Sequence, residues 1–526
     1  MAYYTLHAYD ADVRVPEFLG LRQDDEMATD LRFAADAENV ETINGSLQPQ
    51  AGCKALADSF ESKIETLMQF HRRWCAEEGS KDWLIAAVDG KLYAKQKDDE
   101  GPWLELEMPT GVDSFQSNVW SWVTYEQTTN ESTTVDVLLI SNAVDGMYMI
   151  TPPDRNTTWN DLKSMTWQQV KAKTWREIFS PAWHITAVDT NGEKFGVIER
   201  HAERVWGGAI DGKPDVLMYS AVYDPTDWNE NAETPEEGAG EVQQPTWDGD
   251  SFTTLRNFGD QLIAFKGHHV WRVMGISPGN YVFTEQYGGG SPFPNTVAIE
   301  RERMFFAERS GISIYDGTAV TPFNRGFIEK VWKKVNPAAM DQMCAVVFDH
   351  RYYLAVPIDG SEVNNALIVF DTVQGTFLFY TDIYIESLLA SDDKLYATSS
   401  VTPGKILEIG HDSWGSRFSA GKHAKWETPW MDFNYKTIAK GGYEIYFNPE
   451  VKGKPVTFRF TIRTEKKEKT KEVTILPTTF QQKQKRIRFG GTSRRFKLIV
   501  EVLPHLQDTV WRLTGGIHMV VETDPD

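Results

Sequence analysis

The sequence predicts an all-β protein: a β-propeller with an additional C-terminal β-sandwich-like domain and a small helical insertion. Three observations lead there. Short apolar runs recur, each broken by a Gly or Asp turn. Aromatic residues are abundant, with 18 Trp, 19 Tyr and 28 Phe among 526 residues, and aromatics fit a pleated, half-buried sheet surface. Beyond about residue 420 the pattern changes to clean polar–apolar alternation, as expected of a sandwich with one face of each sheet wet.

Residues 1–60 read as an N-terminal arm leading into the propeller, with Asn44-Gly45-Ser46 as a turn between extended segments. From Ser59 to Glu78 the pattern fits either a helix or paired strands. The propeller is placed over residues 61–420. There Trp83–Val88 meets Asp89-Gly90 and continues as Lys91–Ala94, and Val137–Ile140 is followed, after Asp145-Gly146, by Met147–Ile150. Asp-Gly between apolar runs is a strong hairpin signal, because tight primed turns need positive φ. Looser copies follow at Gln261–Phe265, Arg303–Ala307, Tyr352–Val356 and Leu388–Ala390. Hairpins at this spacing predict about 6–8 blades of roughly 40–50 residues each.

Two stretches interrupt the repeats. Residues 157–183 carry Trp159, Trp167, Trp175 and Trp183 at a spacing that suits one face of a helix or of a strand, and good helix formers tip the reading to helix. Residues 229–249 are acidic and rich in Gly, Pro and Gln, which predicts an exposed loop. The sandwich-like domain is placed at 421–526, on runs such as Gly441–Phe447, Val456–Arg463 and Arg495–Val500.

Charge is partitioned along the chain. Of the net −21, residues from Lys422 onward hold 20 Lys+Arg against 12 Asp+Glu, or +8, which leaves −29 on the remainder. An acidic body is a poor general nucleic-acid binder, since affinity for the phosphate backbone rests on Lys and Arg. It also suits a surface that nucleic acid slides past, although acidity serves solubility as well. No run approaches the ~20 apolar residues of a membrane span, and residues 1–14 lack a signal-peptide pattern, so synthesis in a cytoplasm is expected. Cys53, Cys75 and Cys344 form neither a disulfide framework nor a metal-ligand spacing.

Catalytic motifs are missing: no phosphate-binding loop, nucleophile elbow or zinc-binding helix motif occurs. Gly288-Gly289-Gly290 reads as a flexible turn. His268 and His269 are neighbours, which on a strand point to opposite faces and do not share a metal. No catalytic, cofactor-binding or metal-ligating residue is assigned, and the chain is expected to be no enzyme. Arg486, Arg488, Arg494 and Arg495 form a dense basic group without interleaved aromatics, which suits a subunit or partner interface better than nucleic-acid stacking.

Several segments resemble the propeller-containing neck and tail proteins of tailed bacteriophages, the group called nozzle, tail tubular or packaged-DNA stabilisation proteins. They are Phe18-Leu19-Gly20-Leu21, Ala37-Glu38-Asn39 and Gly45-Ser46-Leu47 with Gly52; Arg204–Gly208 through Asp215–Ser220 to Tyr223–Trp228; Arg303–Ala307 with Gly311–Gly317; and Gly490-Gly491 with Arg494–Leu498. The resemblance implies a virion structural protein in a homo-oligomeric ring, six-fold by preference, around the DNA exit channel. Its partners would be an adaptor protein near the portal and tail fibre or tail tip proteins, with DNA passing unbound and no cofactor or membrane. Phe18 and Leu21 join the four arginines as interface candidates. The alternative is a receptor- or carbohydrate-binding propeller, possibly glycan-hydrolysing.

Overall fold

The computed structural model describes residues 10–23, 30–50, 52–72, 81–97, 99, 101–128, 134–152, 163, 166–168, 183–410, 421–432, 439–477, 484–506 and 509–524. Among them, seven sheets follow one another as the blades of a propeller. Blade 1 runs outward from Ile64–Arg72 to Leu104–Glu105, and blade 2 from Ser121–Thr128 to His184–Ala187. Blade 3 runs from Phe195–His201 to Gly240–Gln243, and blade 4 from Phe252–Phe258 to Val282–Gln286. Blade 5 runs from Ala298–Glu300 to Val320–Pro322, and blade 6 from Cys344–Phe348 to Thr376–Ile385. Blade 7 starts at Ser387–Ser391 and ends on a strand from the other end of the chain, Cys53–Ser59.

The blades stand radially, so both faces of each strand are covered. Ile263 of blade 4 packs toward blade 5 with Met304 and Phe306. Its neighbours Leu262 and Ala264 pack toward blade 3 with Trp206 and Leu217. Alternate side chains thus feed two different interfaces, which explains why the middle strands are continuously apolar and do not alternate. The other blade pairs have separate clusters, while that between blades 5 and 6 is continuous with the sandwich core. The ring closes where Ile64 and Leu67 of blade 1 meet Leu389 and Tyr396 of blade 7. At the blade 1 hairpin, Asp89 and Gly90 take φ of 54° and 75°, the primed turn that Asp-Gly predicts.

The stretch after Ser59 is strand, Ile64–Arg72, as far as it is described. The helical insertion falls almost wholly outside the described residues. Trp167 is exposed, and Trp183 is buried edge-on to Trp83 at 5.1 Å. The acidic stretch 229–249 is more than a loop: Gly240–Gln243 is the outermost strand of blade 3, paired with Val216–Tyr219. Gly290, in the glycine turn, has a steric role. A Cβ there would lie 2.3 Å from the Lys266 carbonyl oxygen, so the glycine permits close backbone approach.

The sandwich draws on both ends of the chain. One sheet orders Lys485–Ser493, Ala439–Lys452, Val510–Asp524, Ser46–Pro49 and Val40–Ile43, with Asp10–Val15 also on Val510–Asp524. The other orders Glu468–Ile475, Val456–Thr464, Phe496–Val502, Ala424–Glu427 and Asp36–Glu38. Phe447, Phe458, Phe460 and Trp511 fill the space between them. The N-terminal region is therefore not a simple arm leading into the propeller. It supplies four strands to the sandwich, extends blade 6 through Gly20–Leu21 and Phe33–Ala34, and closes blade 7.

The margin made by Asp36–Glu38 and Val40–Ile43 abuts the outer strand of blade 6. A buried polar cluster fixes this junction: Arg351 lies 3.6 Å from Glu41 and 3.3 Å from Asp371, and the Tyr380 hydroxyl donates to Glu41 at 3.1 Å. The opposite margin, Glu468–Ile475 and Lys485–Ser493, is the far end of both sheets.

Candidate interaction surface

All four candidate arginines lie at that far margin. Arg486 and Arg488 lie on Lys485–Ser493, and Arg494 and Arg495 form the turn after it. Arg495 Nε donates to Glu465 at 2.9 Å, and Lys469 Nζ donates to the Gly490 carbonyl at 2.5 Å. These bonds tie the tip of one sheet to the edge of the other, so Lys466, Lys467 and Lys469 join the arginines in one patch. Glu465 to Arg495 holds ten Lys or Arg against three Glu. Glu444 is the local counter-charge. The Tyr446 hydroxyl, then Arg488 and Arg486, hold its carboxyl below the usual range.

Phe18 and Leu21 do not belong to this surface. Both are fully buried. Phe18 packs edge-on against Trp426 at 5.1 Å, and Leu21 pairs with Phe377 of blade 6. Apolar residues near a chain end are readily taken for a docking arm, but here they join the sandwich to the propeller.

On the outer face of the second sheet, Glu427 anchors a cationic cluster, with Lys497 at 3.0 Å, Lys425 at 3.1 Å and Arg463 at 3.7 Å. Burial raises its carboxyl, but Lys425 and Lys497 outweigh burial and hold it below its ordinary value of 4.5. A depressed folded-state pKa adds stability above the unfolded value, and that stability is lost as pH falls through the folded value. Glu427→Gln is therefore expected to cost roughly 2–4 kcal/mol at pH 7, leaving Lys497 buried with its partner uncharged. The variant should also lose less stability than the parent when the pH is lowered below 4.5. Urea unfolding at pH 7 and pH 3.5 checks both, and parallel pH responses would contradict the assignment.

Blade 3 carries the opposite charge. Between Lys213 and Arg256 the chain has ten carboxylates and no Lys or Arg. Glu230, Glu233, Glu236 and Glu237 are exposed on the segment between the two outer strands. Arg204 holds that segment in place. It is 0% exposed, and its guanidinium donates to the Ser220 and Gly238 carbonyls, both at 2.6 Å, and to the Glu236 carbonyl. Trp228 adds an anchor, with its ring 4.7 Å from that of Phe195. The sequence marks the ridge by its acidic run, but nothing in the pattern shows that Arg204 is buried.

Two other polar groupings stand on the propeller. His268 lies with Asp250 at 3.2 Å, while His269 sits between Asp248 at 2.9 Å and Glu285 at 2.6 Å. The two histidines have separate hydrogen-bond partners, and one ligand atom each of His268, Asp248 and Asp250 lies within 4.8 Å of the others. A shallow depression of about 400 Å³ is lined by Glu199, Arg200, His201, Glu203 and Asn257 beside the innermost strands of blades 2 to 4. Burial raises the Glu199 carboxyl, opposed by the charge of Arg256.

No family model matches the chain, and no curated protein does. Among solved structures it is similar to BBS1N in complex with ARL6DN, at 8% identity over 70% of this chain and 98% of that one, with a TM-score of 0.38. It is also similar to the WD40 domain of Neurospora crassa Pan2, at 8% identity over 69% and 96%, with a TM-score of 0.36. Among the described residues no helix is long and apolar enough to cross a membrane.

Proposed function

We propose that this chain is a structural protein of a tailed-bacteriophage neck or tail. In this reading several copies, six by preference, ring the DNA exit channel, docking to an adaptor on one side and to tail fibre or tip proteins on the other. The reading rests on the phage-like segments of the sequence, and the observation that favours it is the partition of charge over the fold. A closed, rigid propeller carries the acidic bulk, while a sandwich joined to its rim holds a basic margin away from it. An acidic wall repels passing DNA and keeps it from sticking. The basic margin is suited to protein contacts, and the work is mechanical and electrostatic, without catalysis.

Light scattering on the purified protein, alone and with virion neck components, tests the proposal. A closed ring, formed alone or on an adaptor, is the expected result. A monomer that ignores neck proteins would overturn it. The depression lined by Glu199 and Glu203 favours a second reading, a glycan-binding or glycan-hydrolysing propeller. Glycan binding that Glu199→Gln and Glu203→Gln abolish would establish that reading instead.

A further inference from the structure

We infer that the basic margin of the sandwich docks onto the acidic ridge of blade 3 in a second copy of this chain. The inference deepens the ring reading and rests on it for closure of the assembly. Two features of the fold carry it. The first is charge: the margin from Glu465 to Arg495 is strongly cationic, and the segment between Lys213 and Arg256 holds carboxylates alone. Both patches have exposed side chains, Lys466, Lys467 and Arg494 on one and Glu230, Glu233 and Glu237 on the other.

The second feature is placement. The sandwich joins the propeller at blade 6, through strands that abut its outer edge. Blade 3 lies three blades away in one direction and four in the other, on the far side of the ring. The margin and the ridge of one molecule therefore face away from each other. Each is left to meet its complement on a neighbour, and a contact between two unlike patches repeats from copy to copy. Such head-to-tail contacts give rings when the rotation closes and open chains when it does not. Like charges set margin against margin and ridge against ridge, which disfavours a two-fold dimer through either patch.

Arg204 gives the ridge a defined shape, since its three bonds to backbone carbonyls fix the segment against blade 3. Ordering before contact lowers the entropy lost on association. The contact is between exposed charges, so salt screens it: raising ionic strength shortens the screening length from ~10 Å at 0.1 M to ~3 Å at 1 M.

The test uses the full chain in four samples, measured by light scattering and sedimentation velocity at low and high salt. They are the parent, a margin variant (Lys466→Glu, Lys467→Glu, Arg494→Glu), a ridge variant (Glu230→Lys, Glu233→Lys, Glu237→Lys), and an equimolar mixture of the two variants. Thermal unfolding of each variant confirms that it folds. The parent is expected to assemble at low salt and to dissociate as salt rises. Each variant alone should associate at least about tenfold more weakly, because like charges then face each other. The mixture should recover the parent's mass, because each reversed patch meets its new complement.

Folded variants that keep the parent's mass, a mixture that stays monomeric, or a parent that is monomeric at every concentration and salt would each overturn the contact. Two outcomes separate it from the ring reading. Salt-sensitive open chains that lengthen with concentration and are abolished in either variant keep the contact and remove the ring. Closed rings indifferent to both variants keep the ring and remove the contact.

Discussion

Arg204→Ala is expected to cost about 3–5 kcal/mol and to release the acidic ridge from blade 3 while the rest of the propeller stays folded. The magnitude follows from what the side chain does. Its charged guanidinium satisfies the carbonyls of Ser220, Gly238 and Glu236, and it lies 5.3 Å from the Tyr219 ring. Bonds from a charged donor contribute roughly 1.5–3 kcal/mol each, and carbonyls left unpaired in the interior bear a further penalty. Water can reach part of the vacated space, which keeps the total below the simple sum.

The loss should be local. Backbone amide exchange is expected to accelerate across residues 220–243 and to stay slow in blades 5 to 7. Protease cleavage should appear within residues 222–239. Arg204→Lys should recover only part of the loss, since a compact ammonium cannot span carbonyls that a planar fork reaches together. An alanine variant within about 1 kcal/mol of the parent, with unchanged exchange, would mean that the ridge keeps its shape without Arg204.

The propeller was legible because its middle strands announce themselves. Leu262–Phe265, Met304–Ala307 and Tyr352–Val356 are apolar throughout, and such runs mark strands covered on both faces. Blade 3 is missing from the apolar hairpin series, because Trp206-Gly207-Gly208-Ala209 is rich in small residues, and it is picked out only through the resemblance of Arg204–Trp228 to phage neck proteins. Gly207 is small for a reason: a Cβ there would lie 2.5 Å from the Phe195 ring.

The route of the N-terminal region was legible only at its Asn44-Gly45-Ser46 turn, which joins Val40–Ile43 to Ser46–Pro49 as a hairpin. Asp36–Glu38 is short, and its partner strand, Ala424–Glu427, lies hundreds of residues away in the chain. Pairings such as Ala37 with Trp426 leave no local trace. The same distance explains Phe18 and Leu21, whose apolar character is plain in the sequence but whose partners, Trp426 and Phe377, are not. The basic margin could be found because charge accumulates locally in sequence. The ridge opposite it is visible as the acidic stretch 229–249, although its last part reads as loop and is strand.

Closure of the ring leads to the second large expected effect. Blade 7 is completed by Cys53–Ser59, which pairs with Lys405–Ile409 in the register Ile409 to Cys53, Leu407 to Ala55 and Lys405 to Ser59. Gly404 lies where this pairing ends, at φ +70°, and a Cβ there would stand 1.8 Å from the Phe60 carbonyl oxygen. The Phe60 amide donates to the Gly404 carbonyl at 2.9 Å, so neither backbone can retreat without breaking that bond. Gly404→Val must therefore either strain the turn or push the closing strand away. A loss of about 3–5 kcal/mol is expected, with fast amide exchange in residues 53–59 and 405–409.

Gly360 separates steric clash from backbone strain. It has φ +80° but nothing within 4 Å of where its Cβ would be, so Gly360→Ala should cost only about 1 kcal/mol. If the two substitutions cost the same, the fit of Gly404 against Phe60 does not hold the ring shut. If Gly404→Val alone is severe, a strand early in the chain fastens the last blade. The propeller then gains its full stability only when segments some 350 residues apart have met, as expected of a fold dominated by its longest-range contacts.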